Sequence, residues 1–364
     1  MVAGHRSYGC DARRRKTAQI TIGSLRVGGG APVVVESMTK TDTRDVRATV
    51  RQIRALERAG CELVRVAVPD VDAAAGLGKI VAQARIPVVA DIHFDHRLAL
   101  MALEEGVAGV RLNPGNIRDR RKVEQVVLSA HRRGVSIRIG VNAGSLRGGS
   151  AHDALADALV ESALAHIRIL EALDFRNVLV SVKSSEVTTT MEACRKLAGL
   201  VRYPLHVGIT ESGTLLRGAV VSAAGIGILL SEGIGDTVRV SLAANPVREV
   251  EVAYYILSAL GLRERGPRVI CCPTCGRCEI DVPRIAREVE RALSRVEVPL
   301  RVAVMGCAVN GPGEAREADV GIAGGKGEGL VFARGKIVKK VREGELVRAL
   351  LRQVEQLLKA GGST

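Results

Sequence analysis

The strongest constraint on this chain is a repeat. From residue 33 a short β-branched run, a polar or glycine-containing turn and an amphipathic stretch of helical period follow one another in eight successive units. The spacing predicts strands over Val33–Ser37, Leu63–Val68, Val88–Ile92, Gly109–Leu112, Ser136–Val141, Val178–Lys183, Leu205–Thr210 and Thr237–Leu242. Helical segments follow each, for example Val46–Ala59, Arg97–Glu105, Ala154–Ala172 and Val247–Leu260. Strict alternation favours a parallel sheet. Eight repeats over about 230 residues match an α/β TIM (β/α)8 barrel better than an open doubly wound sheet. The earlier Ile20–Val27 segment carries Gly-Ser at its centre and reads as a hairpin that closes the barrel floor.

The pattern changes at Leu262-Arg-Glu-Arg-Gly-Pro267, a short polar linker, so the expected division is a barrel over 1–262 and a smaller α+β module over 263–364. The module reads as a strand (Arg268–Ile270), a cysteine loop, a helix (Pro283–Val296) and a strand (Leu300–Met305). A Gly-Pro-rich loop, strands at Val320–Ile322, Leu330–Ala333 and Lys336–Val341, and a closing helix at Leu346–Ala360 complete it.

A chain that is 47% hydrophobic and 25% charged is globular. Its longest apolar runs, such as Gly225–Leu230, fall well short of the roughly 20 residues that cross a bilayer. Arg13 through Lys16 have no apolar stretch behind them and do not form a secretory signal, so a cytoplasmic location without a membrane partner is expected. The net charge of +14 would suit nucleic acid, but three Phe, four Tyr and no Trp leave little surface for base stacking. An anionic small molecule or an acidic protein partner accounts for dispersed positive charge equally well, and no nucleic-acid partner is expected. An RNA-binding metalloprotein stays open as a rival of another class, marked by salt-sensitive RNA binding.

In a parallel barrel the chemistry lies at the carboxyl ends of the strands. There the chain carries Asp91 and His93, Arg111 and Asn113, Arg138 and Asn142, Lys183, Thr210 and Glu211, and Arg239 and Ser241. Four cations thus converge on one mouth. Without matching acids they would repel one another unless an anion sat between them, and a diphosphate suits the forked donors of arginine. Lys183 also admits a Schiff base, which keeps open an aldolase-type barrel carrying a structural zinc module.

Five of the eight cysteines follow residue 270. Cys271-Cys272-Pro-Thr-Cys275-Gly-Arg-Cys278 contains C-x-x-C-x-x-C, and Cys307 stands alone further on. Structural zinc normally draws on a second paired knuckle, so this arrangement favours an iron–sulfur cluster, and spacing alone nominates Cys272, Cys275, Cys278 and Cys307. Cys10, Cys61 and Cys194 read as ordinary thiols.

Several longer motifs carry a family resemblance: Pro-Val-Val-Val-Glu-Ser-Met-Thr, Val-Val-Ala-Asp91-Ile-His93-Phe, Arg111-Leu-Asn-Pro-Gly-Asn, Ile-Gly-Val-Asn142-Ala-Gly-Ser, Ser-Val-Lys183-Ser-Ser, Cys272-Pro-Thr-Cys275 and Asn310-Gly-Pro-Gly-Glu314. From about residue 17 to 360 the chain resembles the bacterial 4-hydroxy-3-methylbut-2-enyl diphosphate synthases, reductases of the methylerythritol phosphate route to isoprenoids. The resemblance implies a TIM barrel followed by an iron–sulfur domain similar to a sulfite or nitrite reductase half. It also implies reductive ring opening and dehydroxylation of 2-C-methyl-D-erythritol 2,4-cyclodiphosphate, with ferredoxin or flavodoxin as electron donor. Arg111, Arg138, Asn142, Lys183, Arg239 and Ser241 would hold the diphosphate, and Asp91, His93 and Asn113 would line the site. Thr210 and Glu211 would stand near the reacting carbons. A [4Fe–4S] cluster would take Cys272, Cys275 and Cys307, with Glu314 as a carboxylate ligand that leaves one iron exchangeable. Cys271, Cys278, Lys40 and Ser212 depart from the family's motifs. The linker of about six residues spans roughly 20 Å at most, too short to climb the outside of the barrel from its floor, so a head-to-tail homodimer is expected.

Overall fold

The structure, a computed structural model, describes residues 14–92, 95–112, 119–146, 152–307, 313 and 317–361. They fall into two compact units that part between Arg263 and Glu264.

The larger unit is an eight-stranded parallel barrel. Strands β3 (Val34–Met38), β4 (Leu63–Val68), β5 (Val88–Ile92), β6 (Gly109–Leu112), β7 (Ser136–Asn142) and β8 (Val178–Lys183) lie side by side in chain order. On the other side of β3 come β10 (Thr237–Val238) and then β9 (His206–Val207), and a parallel bridge between Val180 and Leu205 closes the ring. Six of the eight strands fall where the repeat puts them. The seventh and eighth, expected over six residues each, shorten to two. Here the backbones crowd: a Cβ added at Gly208 would collide with the Arg239 carbonyl and stand 3.1 Å from Lys183 Nζ.

Between the strands run α1 (Val46–Ala59), α2 (Val71–Val81), α3 (His96–Glu104), α4 (Arg120–Arg133), α5 (His152–Ala172), α6 (Val187–Leu200), α7 (Leu215–Ser231) and α8 (Pro246–Ala259). The first four start alike: Asp45, Asp70, Asp95 and Asp119 each accept a hydrogen bond from a first-turn amide, satisfying a donor that has no partner within the helix. Their apolar faces pack on the outward-facing strand residues, such as Val35, Val64, Val66 and Val110, in one continuous core.

Strand parity then decides what fills the lumen. Alternate residues face inward, and the lowest inward layer is Val34, Leu63, Val89 and Leu179. The hairpin β1 (Ile20–Ile22) and β2 (Leu25–Val27), paired antiparallel, presses Ile20, Ile22 and Val27 against that layer. The floor is therefore plugged with hydrocarbon, as the Gly-Ser turn predicts. Arg14 and Arg15 anchor the approach to it, Arg14 by an ion pair to Asp236 at 3.0 Å and Arg15 by donating to the Ala198 carbonyl at 3.0 Å.

The smaller unit is a five-stranded sheet of β11 (Pro267–Cys271), β12 (Leu300–Met305), β13 (Val320–Gly324), β14 (Glu328–Ala333) and β15 (Lys336–Arg342), the first three parallel and the last two antiparallel. Helices α9 (Val282–Leu293) and α10 (Leu346–Gly361) pack on the side carrying Val302, Val304, Val320, Ile322 and Val331. This is the α+β module that the cysteine-rich segment leads into.

Ile22 is 1% exposed and belongs to the plug. Ile22→Ala is expected to cost about 2–5 kcal/mol of barrel stability, the range for truncating a buried isoleucine. A lowered urea midpoint at unchanged slope checks it; an unchanged midpoint would mean that the hairpin does not hold the floor shut.

Candidate active site

Above the hydrocarbon floor the lumen turns to charge. Glu36 from β3 is fully buried and meets Arg138 of β7 across the barrel through two parallel contacts, Nη1 donating to Oε1 at 2.7 Å and Nη2 donating to Oε2. Burial alone would raise the Glu36 pKa; the charge and hydrogen bonds of Arg138, helped by Arg65 and Lys183, overcome it and hold the carboxyl below the usual range. Arg111 Nη1 donates to Asp91 Oδ1 at 3.0 Å and its Nη2 to the Gly140 carbonyl at 3.0 Å. Arg65 Nε lies 3.5 Å from the other Asp91 oxygen. Arg239 Nη2 stands 3.5 Å from Glu249, a fully buried α8 residue that also accepts from the Ser37 hydroxyl at 2.9 Å and pairs with Lys40 at 3.0 Å.

Lys183 stands apart. Among the described residues no carboxylate lies within ion-pair distance of it. Its ammonium is pushed well below the ordinary lysine pKa, first by burial and then by the charges of Arg65 and Arg239, with Glu36 opposing. His206 donates or accepts at Nδ1 with the Thr237 hydroxyl, 2.7 Å away, and burial followed by the charge of Lys183 keeps the ring neutral. Among the described residues Arg138 Nε, Arg239 Nε and His206 Nε2 are buried without a hydrogen-bond partner. The lumen thus combines surplus positive charge with unsatisfied donors, the pairing that an anion with several oxygens relieves.

The rim is different in character. Asn142 ends β7 and is half-buried, as are Ser241 and Thr210, while Glu211 is exposed. Glu211 is held at φ 55°, a left-handed conformation costly for a residue with a side chain.

In the smaller unit, Cys272, Cys275, Cys278 and Cys307 line one cavity of about 140 Å³ with Pro273, Thr274, Arg277, Met305 and Gly306. Thr274 at φ 56° turns the loop, and the Cys278 amide donates to the Cys275 carbonyl at 2.9 Å. Amides of Cys272 and Glu279 donate to the carbonyls of Val304 and Gly306, which binds the loop to the end of β12 that bears Cys307. The Cys275 thiol is drawn below its ordinary pKa, first by the Arg277 amide and then by the Arg277 side chain, which favours the thiolate a metal needs. Among the described residues no three His, Cys, Asp or Glu side chains are gathered closely enough to hold a single metal ion. A cluster takes each thiolate on a separate iron, and a ring of thiols around a cavity fits that donor set.

Comparison with known proteins decides the family. Residues 17–254 match the family described as the GcpE TIM-barrel domain, and residues 268–356 match the GcpE protein C-terminal domain. The chain belongs to the GcpE family. A 4-hydroxy-3-methylbut-2-en-1-yl diphosphate synthase (flavodoxin) of Thermodesulfovibrio yellowstonii is 54% identical over 351 residues, covering 94% of this chain and 99% of that protein. The enzyme of the same name from Geobacter sulfurreducens is 56% identical over 348 residues, covering 95% and 99%. Among solved structures, a dihydropteroate synthase from Stenotrophomonas maltophilia superposes with a TM-score of 0.50 at 14% identity, over 66% of this chain and 98% of that one. That likeness speaks for the barrel fold alone.

For this GcpE chain, the expected Asp91, Arg111, Arg138, Lys183 and Arg239 are brought together in one lumen, with Asn142, Ser241, Thr210 and Glu211 at its strand ends. His93, Asn113 and Glu314 lie outside the described residues. One expectation needs correction: the cations do not lack matching acids. Asp91, Glu36 and Glu249 take up part of their charge, and among the described residues only Lys183 of the four expected cations has no carboxylate within ion-pair distance. Arg65, His206, Glu36 and Glu249 were not among the expected site residues. A charged residue inside an apolar strand run, as in Val-Val-Val-Glu36 or Leu-Val-Arg65-Val, was the available signal, because in a barrel wall it has only the lumen to face. Lys183 by itself also suits imine chemistry; the family, and not the lysine, decides between the readings.

The charge state of Lys183 yields a pH dependence. Its folded pKa is depressed, so between that value and the ordinary one the unfolded chain holds the extra proton and stability rises with pH. A bound anion restores the ammonium, so pyrophosphate binding takes up a proton and weakens as pH rises through the same window. Titration calorimetry in buffers of different ionisation enthalpy reads this uptake directly; proton release on binding would contradict it. Lys183→Met removes the desolvated charge and is expected to raise the melting temperature while weakening pyrophosphate at least tenfold.

Proposed function

We propose that the protein reduces 2-C-methyl-D-erythritol 2,4-cyclodiphosphate to 4-hydroxy-3-methylbut-2-enyl diphosphate, opening the ring and expelling one oxygen as water, with electrons from flavodoxin or ferredoxin. One observation carries this reading: a member of the GcpE family pairs a barrel lumen of surplus, unsatisfied cationic donors with a four-thiol cavity in the same chain.

In this reading Arg111, Arg138, Lys183 and Arg239, with Asn142 and Ser241, hold the diphosphate, and His93 and Asn113 line the site. Asp91 and Glu36 orient the guanidinium groups beforehand, so little rearrangement is needed when the substrate arrives. As the ring C–O bond breaks, charge grows on the departing phosphate oxygen inside a water-poor lumen, where fixed cations are most effective. Thr210 and Glu211 flank the reacting carbons, Glu211 placing or protonating the leaving hydroxyl. Cys272, Cys275, Cys307 and Glu314 hold a [4Fe–4S] cluster, which when bound passes single electrons and offers one iron that is not tied to sulfur from the protein. The short connection between the units supports a head-to-tail homodimer in which each barrel is served by its partner's thiol module. A positively charged surface suits an acidic electron carrier. No helix among the described residues is long and apolar enough to cross a membrane, in keeping with a cytoplasmic enzyme.

Anaerobically purified protein is expected to contain iron and sulfide in equal amounts and to convert the cyclic diphosphate with reduced flavodoxin. Cys307→Ser should lose the cluster absorbance and at least 100-fold of the turnover. Turnover by metal-free protein, or zinc in place of iron and sulfide, would overturn the reading.

A further inference from the structure

Four thiols surround the cavity of the smaller unit, one more than the proposed ligand set uses. The surplus one is Cys278. It is half-buried, three residues beyond Cys275 on the same tight turn. Its Sγ donates to the Ile280 carbonyl at 3.1 Å, which holds the side chain in place. Its position relative to Cys272 can be read from Gly306. A Cβ added there would collide with Cys278 Sγ and lie 3.2 Å from Cys272 Sγ. Both sulfurs therefore crowd the same point, directly before Cys307 in the chain, and a glycine at 306 is what leaves them room. By contrast Cys271, the other additional cysteine of the loop, is exposed and does not line the cavity.

Chemistry gives this placement a consequence. A carboxylate is a hard donor and a poor match for the iron of a sulfide cluster, whereas a thiolate is a soft and tight one. A carboxylate ligand that comes and goes leaves an iron open to loss. A thiol beside the same cavity competes for that iron whenever the carboxylate is away.

We infer that Cys278 is a reserve cluster ligand: its thiolate takes the fourth iron when Glu314 releases it, giving an all-cysteine [4Fe–4S] state. In the exchange the iron–carboxylate bond breaks, an iron–sulfur bond forms and the thiol proton passes to solvent; no electron is transferred. The all-cysteine state protects the cluster but withholds the exchangeable iron, so it is a resting form. The inference rests on the proposed cluster ligation, and the test separates the two. The full chain is prepared anaerobically as wild type, Glu314→Ala, Cys278→Ser and the double variant, and each is assayed for iron, sulfide and the EPR spectrum of the oxidised protein. Glu314→Ala is expected to keep a full [4Fe–4S] complement, and the double variant to lose one iron per cluster and show a [3Fe–4S] signal. In the otherwise unchanged chain, Cys278→Ser should speed iron loss to a chelator about tenfold. Identical iron content and spectra for Glu314→Ala and the double variant would overturn the inference, as would an unchanged rate of loss for Cys278→Ser. Circular dichroism of all four confirms folding, and a wild type without any cluster would overturn the ligation itself.

Discussion

The pair formed by Glu36 and Arg138 across the barrel is the interaction on which the lumen depends. Removing two charges from water costs several kcal/mol for each ion, recovered only when geometry is good and the remaining donors and acceptors are met. The two-pronged contact does that for the carboxylate and leaves Arg138 Nε unmet. Around this pair the balance of charge is deliberate in a physical sense. Arg65, Arg111, Arg138, Lys183 and Arg239 face Glu36, Asp91 and Glu249. Like charges about 4 Å apart repel by about 4 kcal/mol at an effective dielectric of about 20, so without the acids the lumen would oppose its own folding. With one acid for every cation it would have no appetite for an anion. Five cations against three acids leave a surplus of two among the described residues, and Lys183 is the one that burial and the neighbouring guanidinium groups hold well below the ordinary lysine pKa.

Such electrostatics need a dry and rigid setting. The floor hairpin supplies the first part, placing Ile20, Ile22 and Val27 beneath the charged layer. The second part comes from putting the charged side chains on strands, where the backbone is fixed by a ladder on both sides. Arg239 lies just past β10, and Glu249 is a helix residue that reaches the strand ends; it is steadied by the Ser37 hydroxyl and the Leu242 amide, which donate to it at 2.9 and 3.1 Å.

Period was the most readable property of the chain. Strands of full length, such as β5, β6, β7 and β8, show where their carboxyl ends lie, and Asp91, Arg111, Arg138 and Lys183 follow from that, whereas Glu36 and Arg65, inward charges on β3 and β4, did not. Pairing was unreadable: Glu36 and Arg138 stand 102 residues apart, and nothing local announces that a guanidinium on one side of the barrel donates to a carboxylate on the other. The close approach of Gly208 to the Arg239 carbonyl and Lys183 Nζ, just beyond β9 and β10, was hidden for the same reason, since it joins residues far apart in the chain. Glu249 was missed because helical period assigns a residue to a helix face and says nothing of what lies beyond the helix start.

Cysteine spacing already set Cys61 and Cys194 apart from the loop thiols, and burial supplies the physical reason. Cys61 and Cys194 are sealed in the barrel core, where desolvation pushes their pKa up to about 12, so neither offers a thiolate to metal or oxidant at neutral pH. The Cys275 thiol is shifted in the opposite direction, first by the Arg277 backbone amide and then by the Arg277 guanidinium. Among the described residues the barrel thiols are thus inert, and the thiols around the cavity of the smaller unit are the accessible ones. That contrast follows from which element each cysteine occupies: desolvation acts on the two in the barrel core, and hydrogen-bond donors act on the one at the cavity of the smaller unit.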